Sequence, residues 1–303
     1  MAEGSSIPLR GLMLCLPSST KGLTALLVAS FSFGSAAIFV RLATEVSVLS
    51  LTFFRLFIAA GVMLILALVT SQLQRLDRHA LILVGVSGVF LSLHFAAYIF
   101  AVKETTIANA TFLVNTSPVM LAMLSPVLIR ERTTRREVLA VLVAMTGVLF
   151  VANAGNDFRL FGLGDTSALL SAFFLTIYTL AGRYSRTRGI STACYTTYVY
   201  STAALVAFLM VALLGTNPIR IYNCENLFSI FGLAIIPTAF GHSLYNYSLG
   251  SVKAVTANLF PLMEPIVASI LAVSMFGEVP TTIQIAGYAM ILTAVVIVAT
   301  NLK

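Results

Sequence analysis

Charge is what this chain has least of: 10% of its 303 residues are Asp, Glu, Lys or Arg, against 59% hydrophobic. A soluble protein of that length needs a wet, charged exterior, and this composition cannot supply one. The soluble globular class is excluded, and the chain reads as a membrane protein throughout. A formal charge of +7 would suggest a nucleic-acid partner for a soluble domain. Here loop asymmetry explains it, and no nucleic acid is expected. Cysteine is also scarce. Cys15, Cys194 and Cys224 are scattered and odd in number, so neither a disulfide framework nor a zinc spacing can be built. No His-Glu-x-x-His helix occurs, and neither metal nor cofactor is expected.

Long apolar runs are what remains. A spanning helix needs about 20 mostly apolar residues, and ten stretches qualify: approximately 22–43, 48–70, 80–102, 106–129, 137–154, 165–184, 192–215, 226–249, 254–276 and 280–301. The fifth has the shortest clean core. The connections are too brief for a soluble domain. Arg10 and Lys21 precede a full-length first span with no small-residue cleavage site, which predicts an uncleaved helix rather than a signal peptide. Residues 1–20 read as a short mobile cytoplasmic tail.

Lys and Arg set the expected orientation. With the N-terminus inside, thirteen fall on cytoplasmic segments, among them Arg75, Arg78, Arg130, Arg132, Arg135, Arg136, Arg183, Arg186 and Arg188. Four fall outside: Arg41, Lys103, Arg159 and Arg220. Arg55 lies within the second span. The bias predicts that both termini are cytoplasmic and that the protein resides in the cell membrane.

The ninth span, 254–276, organises the rest. It carries Glu264 between Pro261 and Pro265, each of which removes a backbone donor and clashes with the preceding turn. The helix should bend or open there. A freed carbonyl or a charge is costly in hydrocarbon, so other helices or a water-filled cavity must surround it. The fourth span looks like its copy. Sliding residues 98–153 forward by 147 positions lays Tyr98 on Tyr245, Ala110 on Ala257, Pro118 on Pro265, Glu131 on Glu278, Thr134 on Thr281 and Ala152 on Ala299. A shift of 142 lays Gly22 on Gly164, Thr24 on Thr166, Phe31 on Phe173 and Arg41 on Arg183. Five spans per half is odd, so the second half must enter the membrane from the opposite side. The expected fold is all-α, ten transmembrane helices in two inverted five-helix repeats, 21–155 and 163–303.

In this order and spacing the chain resembles the drug/metabolite transporter superfamily, in its ten-helix EamA-like branch. The resemblance is carried by Phe54-Arg55-Leu56-Phe57, Ser117-Pro118, Glu131 with Thr133-Thr134, Gly164-Asp165, Glu264-Pro265 and Gly277-Glu278. It implies a central cavity lined by spans one to four and six to nine, with five and ten peripheral, and export or exchange of small polar metabolites such as amino acids. Two departures stand out: Arg130 occupies a place where the family usually has glycine, and Gly147 falls on Ala294.

Candidate site residues follow from polar groups deep in apolar helices. Glu264 lies roughly 15 Å into its span at about 1.5 Å per residue. It reads as a substrate-amine contact or a proton site, or else as a structural acid beside the opened backbone. Arg55 could counter Glu264, hold a substrate carboxylate or snorkel, with a structural role favoured. His94 shares a face with Tyr98, and His242 shares one with Tyr245 and Asn246. Each histidine is a packing group or a titrating one. Asn258 and Pro261 form a stripe with Pro265, matching Thr111 and Asn115 with Pro118. Ser171, Phe174 and Tyr178 make a face on the sixth span, opposite Ser30 and Gly34. Gly34 suits close helix packing. Tyr195, Tyr198 and Tyr200 open the seventh span and read as interface anchors. Glu131 and Glu278 read as helix-end anchors.

The substrate set is thus Tyr98, His94, Asn115, Phe174, Tyr178, His242, Tyr245, Asn246, Asn258 and Glu264, with helix breaks at Pro118, Pro261 and Pro265 and Glu264 as the candidate for ion coupling. The partners expected are the lipid bilayer, a small-molecule substrate and a coupled proton, in a monomer or a homodimer. Gly162-Leu163-Gly164-Asp165 also resembles the motif of intramembrane aspartyl proteases. That chemistry needs two facing carboxylates, whereas Asp77 and Asp157 lie in loops and Asp165 stands where an N-cap is ordinary. A nucleotide-sugar or phosphorylated cargo would need several fixed cations, and only Arg55 lies inside a span. The sequence therefore reads as a non-enzymatic secondary exporter of a small neutral or zwitterionic metabolite.

Overall fold

The computed structural model describes residues 18–153, 162–214, 223–276 and 279–300. Residues 1–17 of the expected tail, with Asp157, Gly277 and Glu278, lie outside the described residues. Every regular element among the described residues is helical. In chain order these are α1 (Ser18–Phe33), α2 (Ala36–Leu42), α3 (Val48–Val69), α4 (Arg78–Glu104), α5 (Ile107–Val114), α6 (Ser117–Leu128), α7 (Arg135–Asn153), α8 (Leu163–Thr187) and α9 (Thr192–Leu213). There follow α10 (Cys224–Leu233), a π-helical segment (Ala234–His242), α11 (Ser243–Ser248), α12 (Ala254–Leu259), a 3-10 turn (Pro261–Met263), α13 (Glu264–Phe276) and α14 (Thr282–Ala299).

Nine helices among the described residues are long and apolar enough to cross a membrane, counting those interrupted midway. α7, the expected fifth span, is not among them, because Arg135, Arg136 and Glu137 fill its first turn. Capping residues fix where several helices begin. Ser47, Asp77, Thr106, Ser191, Asn223 and Thr281 each accept, through the side chain, the amide N–H three residues on. The outer faces are apolar. Phe57, Ile65, Met123, Val127 and Leu142 are each at least 60% exposed, which only a hydrocarbon surround makes tolerable.

Helices pair across the two halves of the chain: α4 lies along α8, α3 along α9 and α7 along α14. The last pair meets backbone to backbone. A Cβ on Gly147 would stand 2.7 Å from the Gly287 carbonyl oxygen, and one on Gly287 would stand 2.5 Å from that of Gly147. Small residues allow helices this approach in lipid, where close packing holds them together. The glycine that meets Gly147 in space is Gly287.

Four spans are interrupted, and proline explains three. Pro118 has no N–H for the Val114 carbonyl, and the fourth span lapses at Asn115–Thr116. Pro261 and Pro265 do the same to Ala257 and Pro261, and the ninth span tightens into its 3-10 turn between α12 and α13. Pro237 frees the Leu233 carbonyl, and the eighth span widens into the π segment. The first span breaks at Gly34–Ser35 without a proline. There a Cβ on Gly34 would lie 2.5 Å from Val267 of α13, so glycine admits the ninth span against the first. The spans expected at 22–43 and 226–249 are both present, as Ser18–Leu42 and Cys224–Ser248, each with an interruption midway.

Freed carbonyls find hydroxyl donors. Thr238 Oγ1 donates to Leu233 O at 2.7 Å, and Thr133 Oγ1 donates to Ala122 O, opened by Pro126, at 2.9 Å. Ser30 Oγ donates to Phe260 O at 2.8 Å, tying the first span to the break in the ninth. The first two bonds meet carbonyls that a proline four residues on leaves without its N–H, a loss that costs several kcal/mol in an apolar interior when nothing replaces it, while Phe260 O also accepts the Met263 N–H at 2.9 Å.

Candidate functional site

All four interruptions converge on one cavity. Phe33 and Ala36 flank the break in the first span, Val114 and Asn115 sit at that in the fourth, His242 ends the π segment, and Pro261 with Glu264 bracket the 3-10 turn. Arg55, His94, Phe95, Tyr98, Leu175, Tyr245 and Asn258 complete the wall. The cavity volume is about 60 Å³, tight against the roughly 300–1,000 Å³ of an open small-molecule cleft. Interrupted backbone at membrane depth is tolerated where it is buried in protein or lines such a cavity.

The acid is placed by two helices. Glu264 opens α13 after the 3-10 turn, and Tyr98 of α4 donates to its Oε1 at 3.1 Å. The cation is placed by three. Arg55 of α3 is 2% exposed, its Nε donates to Thr238 Oγ1 at 2.5 Å, and its guanidinium lies 3.5 Å over the Phe95 ring. The snorkelling option for Arg55 is thereby overturned, since the guanidinium points inward. Thr238 is held in turn, because its backbone oxygen accepts from Tyr200 at 3.2 Å and its hydroxyl is spent on Leu233. The π segment created by Pro237 thus positions the arginine.

Seven of the ten residues expected at the substrate site line the cavity: His94, Tyr98, Asn115, His242, Tyr245, Asn258 and Glu264. Phe174, Tyr178 and Asn246 do not. Phe174 packs against Phe90 and Phe173, with ring centroids 5.8 and 6.0 Å away. Asn246 Nδ2 donates to Tyr178 Oη at 2.6 Å, so these two side chains occupy each other in the core. Of the expected helix breaks, Pro261 lines the cavity, while Pro118 and Pro265 act on the backbone beside it. Sequence reasoning passed over Phe33, Phe95, Val114 and Leu175, and ranked Arg55 as structural. The Phe95 signal was its place beside His94; the others are apolar positions without any.

The histidines differ. His94 Nδ1 lies 2.8 Å from Ser171 Oγ and 3.0 Å from Ser171 O, so that nitrogen is taken up by packing against α8. His242 sits among the rings of Phe33 and Phe95, 4.8 and 5.0 Å away, and its Nδ1 is buried with no hydrogen-bond partner.

On the side of α12 the cavity has a hydrogen-bonded floor. Tyr245 Oη donates to Asn258 Oδ1 at 3.1 Å, Asn258 Nδ2 donates to Ser117 Oγ at 2.6 Å, and Thr179 shares a 3.0 Å bond with Tyr245. One turn beyond Thr179 comes a second layer. Arg183 donates through Nε and Nη2 to Glu131 Oε1 at 3.0 and 2.9 Å, and through Nη1 to Leu249 O at 2.7 Å. Glu131 Oε2 accepts the N–H of Ala254, the first residue of α12. Lys253 pairs with Glu137 at 3.4 Å. Tyr195 and Tyr200, expected at the membrane interface, are instead fully buried and bonded to Ser87 and Thr238, so that assignment is corrected for both. Asp165 is not the N-cap itself. Three residues inside the start of α8, it accepts from the Gly162 N–H and from Thr105 Oγ1, both at 3.0 Å.

The family model described as the EamA-like transporter family matches residues 20–153 and again 162–300. The chain belongs to the EamA-like transporter family. It is a multi-pass membrane transporter and not an enzyme. An uncharacterized transporter of Archaeoglobus fulgidus is 31% identical over 278 residues, 91% of this chain and 95% of its own length. YdfC, an uncharacterized transporter of Bacillus subtilis, is 29% identical over 78% of this chain and 77% of its own. A Streptantibioticus cattleyicolor protein named "Probable terminal-alkyne amino-acid exporter" is 29% identical over 63% of each chain. A solved crystal structure superposes with a TM-score of 0.76 at 19% identity, over 94% of this chain and 97% of that one, a likeness of fold. Among the described residues of this EamA-like transporter no group of three or more His, Cys, Asp or Glu could hold a metal ion.

Proposed function

We propose that this EamA-like transporter exports a small neutral or zwitterionic metabolite, an amino acid or a close analogue, by alternating access across the cell membrane. The observation that carries the reading is the cavity itself. Four interrupted spans meet there, and Arg55 and Glu264 place a charge of each sign among apolar and aromatic walls. Secondary transporters keep their sites at such discontinuities near the bilayer midplane.

The architecture we infer is two inverted five-helix repeats, 21–155 and 163–303, with α7 as the short fifth of ten spans. The double match of one family model supports it, as does the pairing of α3 with α9, α4 with α8 and α7 with α14. Both termini are cytoplasmic in this reading, by the Lys and Arg asymmetry. The floor and the Glu131–Arg183 layer then form the inner gate, and the cavity empties outward. A phosphorylated or nucleotide-sugar cargo is less well served, because Arg55 is the lone arginine or lysine among the described residues of the wall.

The test is flux in proteoliposomes with labelled amino acids and neutral metabolites, with and without an imposed pH gradient. The parent protein is expected to move a subset of the panel. Glu264→Gln is expected to move it roughly tenfold or more slowly, and to lose any response to the gradient. Equal flux by Glu264→Gln under every gradient removes Glu264 from coupling. Failure of the parent to move any member removes the amino-acid and neutral-metabolite reading.

A further inference from the structure

Three buried side-chain atoms without a hydrogen-bond partner face the same cavity: Arg55 Nη1, Asn115 Nδ2 and His242 Nδ1. A buried polar atom left without a partner costs about 1–3 kcal/mol, more if charged. Folded proteins rarely accept three such costs in one place unless something else meets them. Two of the three atoms are donors by chemistry, and imidazole Nδ1 donates in one of its tautomers. The cavity therefore asks for a ligand rich in acceptors on that side.

Arg55 shows the most construction. Thr238 takes its Nε, and Phe95 covers one face of the guanidinium. Thr238 itself is fixed by Leu233 and Tyr200. What is left is the Nη edge, with Nη1 buried and unbonded. A rigid guanidinium edge in a dry pocket matches the two oxygens of a carboxylate. Glu264, reached from the ninth span, supplies the opposite pole, with Tyr98 donating to its Oε1. The geometry points to Arg55 as the residue that selects a substrate carboxylate, with Glu264 taking the ammonium of the same molecule, so that the cavity reads both ends of an α-amino acid zwitterion.

The inference rests on the cavity being the transport site, and the experiment separates the two. Binding and counterflow are measured for the twenty amino acids; for each one that binds, the amine lacking only the carboxylate and the acid lacking only the amino group are then measured. In the parent protein the intact zwitterion is expected to bind roughly 10- to 100-fold more tightly than either truncated form, the range of one charge-assisted hydrogen-bonded contact. In Arg55→Gln the ratio of zwitterion to amine should collapse toward one. In Glu264→Gln the ratio of zwitterion to deamino acid should collapse instead. Arg55→Lys, which keeps the charge and loses the fork, should fall between and controls for folding, with melting in detergent recorded for every variant. If Arg55→Gln keeps the parent's preference for the carboxylate, or the parent binds no zwitterion while carrying uncharged metabolites, the selection role is overturned and transport stands. If the parent carries nothing at all, the transport reading fails first.

Discussion

In the fourth span the helix lapses at Asn115–Thr116, just ahead of Pro118, whereas in the ninth it winds into a 3-10 turn over Pro261–Met263 ahead of Pro265. Both prolines leave a carbonyl four residues back without its donor, and both breaks face the cavity. The chemistry laid on them differs. By the 147-residue shift Glu264 stands opposite Ser117, Asn258 opposite Thr111 and Gly277 opposite Arg130. Ser117 is buried and spends its oxygen on Asn258, so the fourth span meets the ninth as a hydrogen-bond acceptor rather than as a second acid. The break is the common element; the charge belongs to one span. Two similarly broken spans can thus hold an unmatched site, with the anion on one wall and Arg55 on another.

Giving the fourth span its own acid should do most damage. Ser117→Glu would set a carboxylate in the packed floor, against the Asn258 amide. Such burial costs several kcal/mol. We expect the variant to lose its monodisperse peak in detergent, and a variant that stays folded with parental melting would mean the floor holds water. The link between the two spans comes next. Glu131→Gln removes the charge that holds Arg183 at 2.9 Å, in a pair whose side chains are 14% and 15% exposed. Melting should fall by the equivalent of roughly 1–2 kcal/mol. An unchanged melting temperature would show that a neutral amide in place of the carboxylate still holds Arg183 and the Ala254 N–H.

The smallest effect tests the exits. Arg130 has φ +57°, the left-handed region where glycine is at ease, and the ninth span carries Gly277 at the matching place. Arg130→Gly should stabilise the fourth-span exit by about 1 kcal/mol. A loss of stability would mean that the arginine side chain contributes more than its backbone strain removes.

Much of the fold was legible because a bilayer demands runs of about 20 apolar residues and the chain states them openly. The break near Glu264 was legible too, since two prolines within five residues admit little else. The π segment was not. Pro237 sits inside an otherwise apolar stretch, and the groups that make its opened turn tolerable, Tyr200 and Arg55, lie 38 and 183 positions from Thr238. The inward aim of Arg55 was hidden for the same reason. A lone cation a few residues from a helix end commonly reaches for the headgroups, and what stops it here is a threonine and a phenylalanine from other spans. Tyr195 and Tyr200 look like interface residues until their distant partners are known. Phe174, Tyr178 and Asn246 were placed on the right helices, but helical periodicity cannot separate a ring facing the cavity from one turned a third of the way round into the core.

That angular sensitivity gives the wide turns at Pro237 a lasting consequence. Each residue of an α-helix advances about 100° around its axis, so a turn that takes up extra residues re-aims everything that follows it. His242 and Tyr245 look inward because the chain beyond Leu233 has been rotated by that surplus. A regular helix through the same stretch would turn both rings toward other neighbours, and no substitution at either position could bring them back. The aim of this wall is therefore set by residue count against turn width along the eighth span, and the wide turns could close to ordinary α turns with the same aim only by giving up a residue.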